Sequence, residues 1–240
     1  MKEKRTIKYF ISLSLVLLIS FSTIAQSESE TTELVTDSLR FKKKYGLRVG
    51  LDLSKPIRSF FDDEYSGFEL VADYRITKDL YIAGEFGIEE KDVVTDYLDV
   101  TSSGSYFKVG VDYNLYGNWL DMDNMIYSGL RVGASTFKQT RNSYTVYQTN
   151  QYWDPYTDNT SKEFSGLSAI WTEVIIGIKA EMLNNLFMGL NIQFKYMLSQ
   201  DEPNEFENLY VPGYNRTYDS GAFGFGYAYT ITYRIPLYKN

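Results

Sequence analysis

Hydrophobic residues alternate with other residues along much of this sequence, and this pattern restricts the fold more than any other feature. In the stretch "LFMGLNIQFKYML", every second residue from Leu186 to Leu198 is apolar, and glycine, amide and lysine side chains occupy most positions between them. Strict alternation predicts a β-strand with two unlike faces. The apolar face would meet a core in a water-soluble protein and lipid in an outer-membrane barrel.

Similar alternation recurs in segments of about ten residues, a length typical of membrane-crossing strands. The predicted strands cover residues 45–54, 67–76, 80–88, 106–116, 126–135, 168–182, 186–198 and 222–235. The connections after the second, fourth and sixth segments are shorter than those after the first, third, fifth and seventh. This sorting predicts an all-β fold, a closed antiparallel eight-stranded transmembrane β-barrel with short periplasmic turns and long extracellular loops.

The faces opposite the apolar stripes carry balanced positive and negative side chains. An unpaired charge inside a narrow barrel would cost several kcal/mol, so balance is expected of a lumen and not of a solvated surface. Lys195 is expected to pair with Glu173 on the preceding strand. The predicted lumen charge network comprises Arg48, Asp52, Glu69, Asp73, Arg75, Glu85, Lys108, Asp112, Arg131, Glu173, Lys179, Lys195 and Arg234.

The first residues have the pattern of an export signal. A basic start is followed by the apolar run "YFISLSLVLLIS" and by short residues up to Ala25, which predicts a secretory signal peptide over residues 1–25. Residues 26–44 are polar and without period, and predict a flexible periplasmic lead-in. The barrel is expected over residues 45–240, in the outer membrane of a Gram-negative bacterium.

Composition excludes several kinds of chemistry. The chain has no Cys and no His, so it lacks the thiol nucleophile, the commonest general base and the commonest transition-metal ligand. A pair of carboxylates such as Glu69 and Asp73 is the remaining catalytic option, against the simpler interpretation of lumen salt bridges. We therefore expect no enzyme activity, no cofactor and no metal. The net charge of −7 argues against nucleic acid as a partner.

Eight strands leave an interior that side chains just fill, which argues against free diffusion of solutes. A narrow channel or transport-related barrel remains the alternative function. Acidic groups in the loops, such as those of Asp62–Glu64, offer an unspecific site for a divalent cation. The sequence "DMDN" of Asp121–Asn124 has acidic spacing but lacks the full calcium-loop pattern, and is expected to face water.

The longest loop is rich in aromatic residues within a polar context. Such residues anchor contacts with proteins or glycans, although they also pack against one another or against other loops. The predicted contact site comprises Tyr144, Tyr147, Tyr152, Trp153 and Tyr156.

Three quoted stretches carry a resemblance to a known class. "YGLRVGLDLSKPI", "GFELVADYRITKDLYIAGE" and "DYNLYGNWLDMDNMIYSGLRVG" resemble the small eight-stranded outer-membrane barrels, in particular an uncharacterised barrel family of Bacteroidota. The resemblance implies a fold and a location but no activity. Many such barrels end on an aromatic residue, whereas this chain continues as "PLYKN", and Pro236 is expected to end the last strand.

These observations predict a non-enzymatic barrel with a filled polar lumen. It would act in envelope structure, in surface recognition or as an accessory subunit of a membrane assembly. Its expected partners are outer-membrane lipid and lipopolysaccharide, and a protein in the membrane or at the cell surface.

Overall fold

The protein forms a closed antiparallel barrel. The computed structural model describes residues 44–117, 123–147, 149, 152, 155–217 and 221–239, so the predicted signal peptide and nearly all of the lead-in lie outside them. The elements are β1 (Lys44–Asp52), α1 (Ser54–Phe61), β2 (Tyr65–Arg75), β3 (Leu80–Val94), β4 (Leu98–Asn114), β5 (Met125–Thr145), β6 (Thr157–Asp158), β7 (Lys162–Leu183), β8 (Leu186–Gln200), β9 (Tyr210–Val211), β10 (Asn215–Arg216) and β11 (Phe223–Lys239).

Eight long strands close the ring in chain order. They are β1, β2, β3, β4, β5, β7, β8 and β11. Each pairs with its neighbours in this order, and β11 pairs back to β1. Closure removes the unpaired edges that an open sheet would present, which a lipid environment does not tolerate. The predicted fold is confirmed.

The two ends of the barrel differ. At the near rim, where β1 begins, residues 76–79 and 184–185 connect strands, as does a longer connection of which residues 115–117 and 123–124 are described. Asn185 takes a left-handed conformation (φ 65°) in the tightest of these turns. The far rim carries α1 and the described residues of the connections 146–161 and 201–222. The expected long loop after the third strand is instead an extended hairpin, because β3 and β4 continue until only residues 95–97 join them.

The outer face of the wall is apolar and the inner face is polar. On β8, Leu190, Ile192 and Phe194 are exposed, whereas Asn191, Gln193 and Lys195 are buried. The alternation continues around the ring, because neighbouring strands are in register and their like faces meet, as at Ile192 and Ile176. An apolar wall around a polar interior is the arrangement of membrane barrels.

The wall is interrupted on one side of the far half. β1 ends at Asp52, opposite Thr230, so residues 223–229 of β11 have no partner on β1. β1 also pairs with β2 only from Leu70 onward. Helix α1 packs at this interruption, and its Ser59 hydroxyl accepts a 3.1 Å hydrogen bond from the N–H of Gly67 on β2.

The part of the chain that the structure describes contains no helix long and apolar enough to cross a membrane.

The last strand continues past Pro236, contrary to the expectation that it ends there. Gly46 lies opposite Pro236, and the register shifts between Tyr45 and Gly46 so that Tyr45 lies opposite Tyr238. A bulge is one of the few places in a sheet that accept proline, because the ladder hydrogen bonds are locally interrupted there.

Candidate functional site

The predicted lumen residues are all buried, and most of them form ion pairs with one another. Their exposed fractions are at most 8%. The structure places all of them except Asp52 in three groups between the near and the far rim. The buried set comprises Arg48, Asp52, Glu69, Asp73, Arg75, Glu85, Lys108, Asp112, Arg131, Glu173, Lys179, Lys195 and Arg234.

The near group closes the end of the barrel where β1 begins. The Asp123 carboxylate lies 3.2 Å from Arg75 Nη1 and also binds Arg234. Arg234 Nη2 lies 3.0 Å from the Glu181 carboxylate. The expectation that Asp121–Asn124 faces water is therefore wrong for Asp123, because two buried guanidinium groups need a carboxylate there. Asp121 lies outside the described residues.

The middle group contains two ion-paired carboxylates, Asp73 and Asp112. Asp73 lies between Arg48 and Lys179, with a separation of 2.5 Å to each. Arg131 lies 2.8 Å from Asp112 and donates further hydrogen bonds to backbone carbonyls. A cavity of about 30 Å³ remains among these side chains. It has room for about one water molecule, which is far too little for a solute path.

The far group is centred on one lysine. Lys108 Nζ lies 2.6 Å from Glu85, 3.3 Å from Glu69 and 3.9 Å from Glu173. Lys195 lies 3.4 Å from Glu173, which is the pairing expected from the sequence. The β7–β8 register accounts for this pair, because it sets the two residues directly opposite each other.

Asp52 has a different role from the other lumen charges. It accepts hydrogen bonds from the N–H and hydroxyl of Ser54 and from the N–H of Tyr229. The first N–H groups of a helix have no partner within it, and a strand that ends early leaves similar groups on its neighbour. Asp52 therefore holds the junction where β1 gives way to α1.

The far end of the lumen is closed by residues 209–217, which fold inward. Strands β9 and β10 form a small hairpin whose Val211 and Tyr214 pack in a buried apolar cluster with Tyr106, Phe137 and Trp171 of the wall. We call residues 209–217 the plug. The Trp171 ring lies 6.0 Å from that of Tyr214, edge to face.

Gly213 at the tip of the plug joins two charged groups of the wall. Its N–H donates to Glu89 (2.9 Å), and its carbonyl accepts a hydrogen bond from Lys195 (2.6 Å). Its φ is +82°, a value that favours glycine, and a Cβ there would lie 2.5 Å from Cγ of Tyr106.

Glu89 is the most highly connected acidic residue at this end, and the sequence reasoning missed it. Its carboxylate also accepts hydrogen bonds from Lys55, Tyr65 and Tyr210. Burial lowers the pKa of Lys55, but the nearby acidic groups, with Glu89 first and then Glu69, together outweigh this and raise the pKa overall. Burial and the same charge raise the pKa of Tyr210 well above its ordinary value. Both groups therefore remain protonated hydrogen-bond donors at neutral pH.

A signal for Glu89 is present in the sequence. It has the same parity as Glu85, and alternate residues of one strand share a face. The apolar alternation stops at Ile88, so the sequence pattern assigns Glu89 to the acidic residues of the following loop. In the structure, β3 continues to Val94.

A family model described as a domain of unknown function, DUF6048, matches residues 6–240. The chain belongs to this family. No curated protein matches it.

Among solved structures, the chain is similar to Ail, the attachment invasion locus protein of Yersinia pestis. The identity is 10%, the TM-score is 0.40, and the alignment covers 81% of this chain and 99% of Ail. The resemblance to a Bacteroidota barrel family remains a prediction.

The aromatic residues predicted as a contact site are spread over the far rim. Tyr147, Tyr152 and Tyr156 are exposed, and Trp153 lies outside the described residues. Tyr147 packs edge to face against Tyr97 at 5.6 Å, and the guanidinium of Arg141 lies 4.6 Å from the Tyr144 ring centre. Packing between loops therefore accounts for Tyr147, and packing within β5 accounts for Tyr144. The contact role stays a prediction.

The acidic loop residues bind side chains of the protein itself. Asp62 pairs with Lys91 at 3.1 Å, and Asp201 accepts hydrogen bonds from the N–H and hydroxyl of Ser168. Burial raises the pKa of the Asp62 carboxyl. Hydrogen bonding to Lys91 and the positive charges of Lys91 and Arg58 lower it by more, so the pKa is lowered overall. Within the described ranges, acidic side chains form no group of three suited to a metal ion.

Proposed function

We propose that this protein is a non-enzymatic barrel of the Gram-negative outer membrane. In this proposal its lumen is closed, and its working surfaces are the far rim and the lipid-facing wall. It would serve envelope structure, surface recognition or a larger membrane assembly as an accessory subunit. The observation that carries the proposal is the combination of an apolar outer wall with a lumen filled by ion pairs and covered by the plug.

The outer wall supports the placement in a membrane. Large apolar side chains such as Leu130, Val174 and Ile178 are about half exposed or more on the outside of the ring. In water this continuous surface would far exceed the apolar patches that soluble monomers expose. Short near-rim connections and long far-rim segments support an orientation with the far rim outside the cell.

The ion pairs support a structural role for the lumen carboxylates. Glu69 and Asp73, the pair considered for catalysis, bind Lys108 and Arg48 respectively. The chain also has no His to carry protons. These facts favour stability of the barrel over acid–base chemistry as the reason for the charges.

Three measurements test the proposal. The purified protein should migrate differently in SDS with and without boiling, and should need detergent to remain in solution. In planar bilayers it should show no stable open steps. Stable conductance steps would favour the narrow-channel alternative. The absence of a mobility shift, together with solubility without detergent, would overturn the membrane placement.

The partners remain part of the proposal. Outer-membrane lipid and lipopolysaccharide would surround the wall, and a protein partner would bind at the far rim or in the membrane. Co-purification from intact outer membranes, followed by replacement of Tyr147 and Tyr156 by Ser, tests the exposed aromatic residues as the contact site. A partner that binds both forms equally would exclude that site.

A further inference from the structure

A large pocket opens at the interruption of the wall. Its volume is about 810 Å³, and its lining comes from α1, the end of β3, the plug and β11. This volume is within the range of small-molecule sites. The lining reaches Phe225 and Tyr227 on β11, which are 67% and 62% exposed on the outer wall. The pocket therefore joins the far rim to the lipid-facing surface.

The charge of the lining is one-sided. Lys55, Arg58, Lys91 and Arg216 line the pocket, and no Asp or Glu is among its described lining residues. The partner carboxylates of Lys55 and Lys91 approach from outside the lining, from Glu89 and from Asp62 and Glu64. In a chain with a net charge of −7, this is a local concentration of hydrogen-bond donors around an open space.

The geometry of Arg58 leaves donors available toward the pocket. Its guanidinium lies 3.8 Å from the Tyr65 ring centre, which fixes its plane. Among the residues that the structure describes, only its Nε contacts a carboxylate, that of Asp62, at 3.4 Å. A guanidinium carries five N–H donors in a fork that suits phosphate oxygens.

The polar and apolar parts of the pocket lie at the same levels as the headgroup and the acyl chains of a membrane lipid. Basic residues lie at the rim, where headgroups are found, and exposed aromatic residues lie on the adjoining wall, where acyl chains are found. Helix α1 extends the apolar border with Phe60 and Phe61, each 81% exposed. A soluble anion would use the basic residues and leave this wall without a role.

We propose that this pocket binds the anionic phosphate headgroup of a lipid from the surrounding leaflet, with an acyl chain against Phe225 and Tyr227. The inference rests on the proposed function, because the lipid must reach the pocket from the membrane. It adds a defined lipid site at the interruption between β2 and β11.

The test uses the full folded barrel in nonionic detergent and native mass spectrometry. The probes are dimyristoyl phosphatidylglycerol, dimyristoyl phosphatidylcholine and glycerol 3-phosphate. One phosphatidylglycerol should bind more tightly than either other probe. The double variant R58Q/R216Q should weaken this binding about 10- to 30-fold, because each basic group near a headgroup contributes a factor of about 5.

The matched control is K138Q/K162Q, which removes the same charge from exposed, ion-paired lysines of β5 and β7 outside the pocket. It should change binding less than about twofold. Equal weakening by both double variants would overturn the site, since general attraction would then explain the binding. Equal binding of phosphatidylcholine would also overturn it, and glycerol 3-phosphate binding as tightly as the lipid would identify a soluble phosphate instead.

Folding and membrane placement are monitored on the same samples by the SDS mobility shift. A barrel that shifts on boiling but binds no lipid overturns only the pocket. A protein that neither shifts nor needs detergent overturns the proposed function. If R58Q/R216Q does not fold, the single variant R216Q is compared with K138Q instead. Arg216 is exposed, and weaker lipid binding by R216Q than by K138Q supports the site in the same way.

Discussion

The carboxylate of Glu89 on β3 accepts a 2.9 Å hydrogen bond from the backbone N–H of Gly213 at the tip of the plug. The two residues lie 124 positions apart in the chain. The contact ties a charged group of the wall to a segment that would otherwise project from the far rim. Closure of the lumen therefore depends on a backbone contact as well as on ion pairs between strands.

Replacing Glu89 with Gln should destabilise the barrel and loosen the plug. The variant removes the charge that compensates buried Lys55, and breaking a buried ion pair on one side costs about 3–5 kcal/mol. Urea unfolding, followed by the SDS mobility shift, measures the loss. Glu90→Gln is the matched control, because Glu90 is the adjacent residue and is exposed. Equal stability of both variants would contradict the role given to Glu89.

Replacing Glu173 with Leu should be similarly destabilising. Lys195 and Lys108 would lose a carboxylate, and the Trp171 indole N–H, which donates to Glu173 at 2.7 Å, would lose its acceptor. We expect a cost of about 3–5 kcal/mol in urea unfolding.

Two further variants isolate the cause of that loss. Glu163→Leu changes an exposed residue of the same strand and should have little effect. Adding Lys195→Met to Glu173→Leu should recover part of the stability, because a buried charge without a partner is removed. A double variant less stable than Glu173→Leu would argue against the pairing.

The sequence predicts the barrel strands well where one face of a strand meets lipid and the other face meets the polar lumen. Between lipid and lumen, side chains must alternate, so the period of two marks every membrane-crossing segment. Beyond the membrane, the outer face meets water and the inner face meets the plug, and the contrast disappears. The continuation of β3 over "EEKDVV" consequently carries no strand signal.

The plug and α1 could not be predicted for a related reason. "SKPIRSFF" forms a helix of two turns, too short for a clear helical period, and Pro56 lies in the first turn, where an N–H is not needed. The plug is held by contacts between residues far apart in the chain, such as Tyr210 with Glu89. Single-strand patterns contain no information on such contacts.

Gly213→Ala should detach the plug without unfolding the barrel. The new methyl group would meet the Tyr106 ring at 2.5 Å and would also occupy a left-handed conformation, which alone costs about 1–2 kcal/mol. Hydrogen exchange of residues 209–217 should become faster. Gly166→Ala is the control, since Gly166 has φ +76° but a Cβ added there would meet no atom within 4 Å. Exchange rates changed equally in both variants would remove the steric argument.

Ile176→Lys tests which solvent meets the outer wall. Ile176 is 55% exposed on β7, opposite Ile192 and Ser128 of the neighbouring strands. If this surface meets lipid, a lysine near the middle of the wall should cost about 2–4 kcal/mol, measured by unfolding from lipid vesicles. If it meets water, the same change should be nearly neutral or should improve solubility. Val146→Lys makes a comparable change at the far rim, where Val146 is 40% exposed, and should be tolerated in either case. A loss of stability confined to Ile176→Lys is the result that membrane placement requires, because only there would the ammonium group have to leave water.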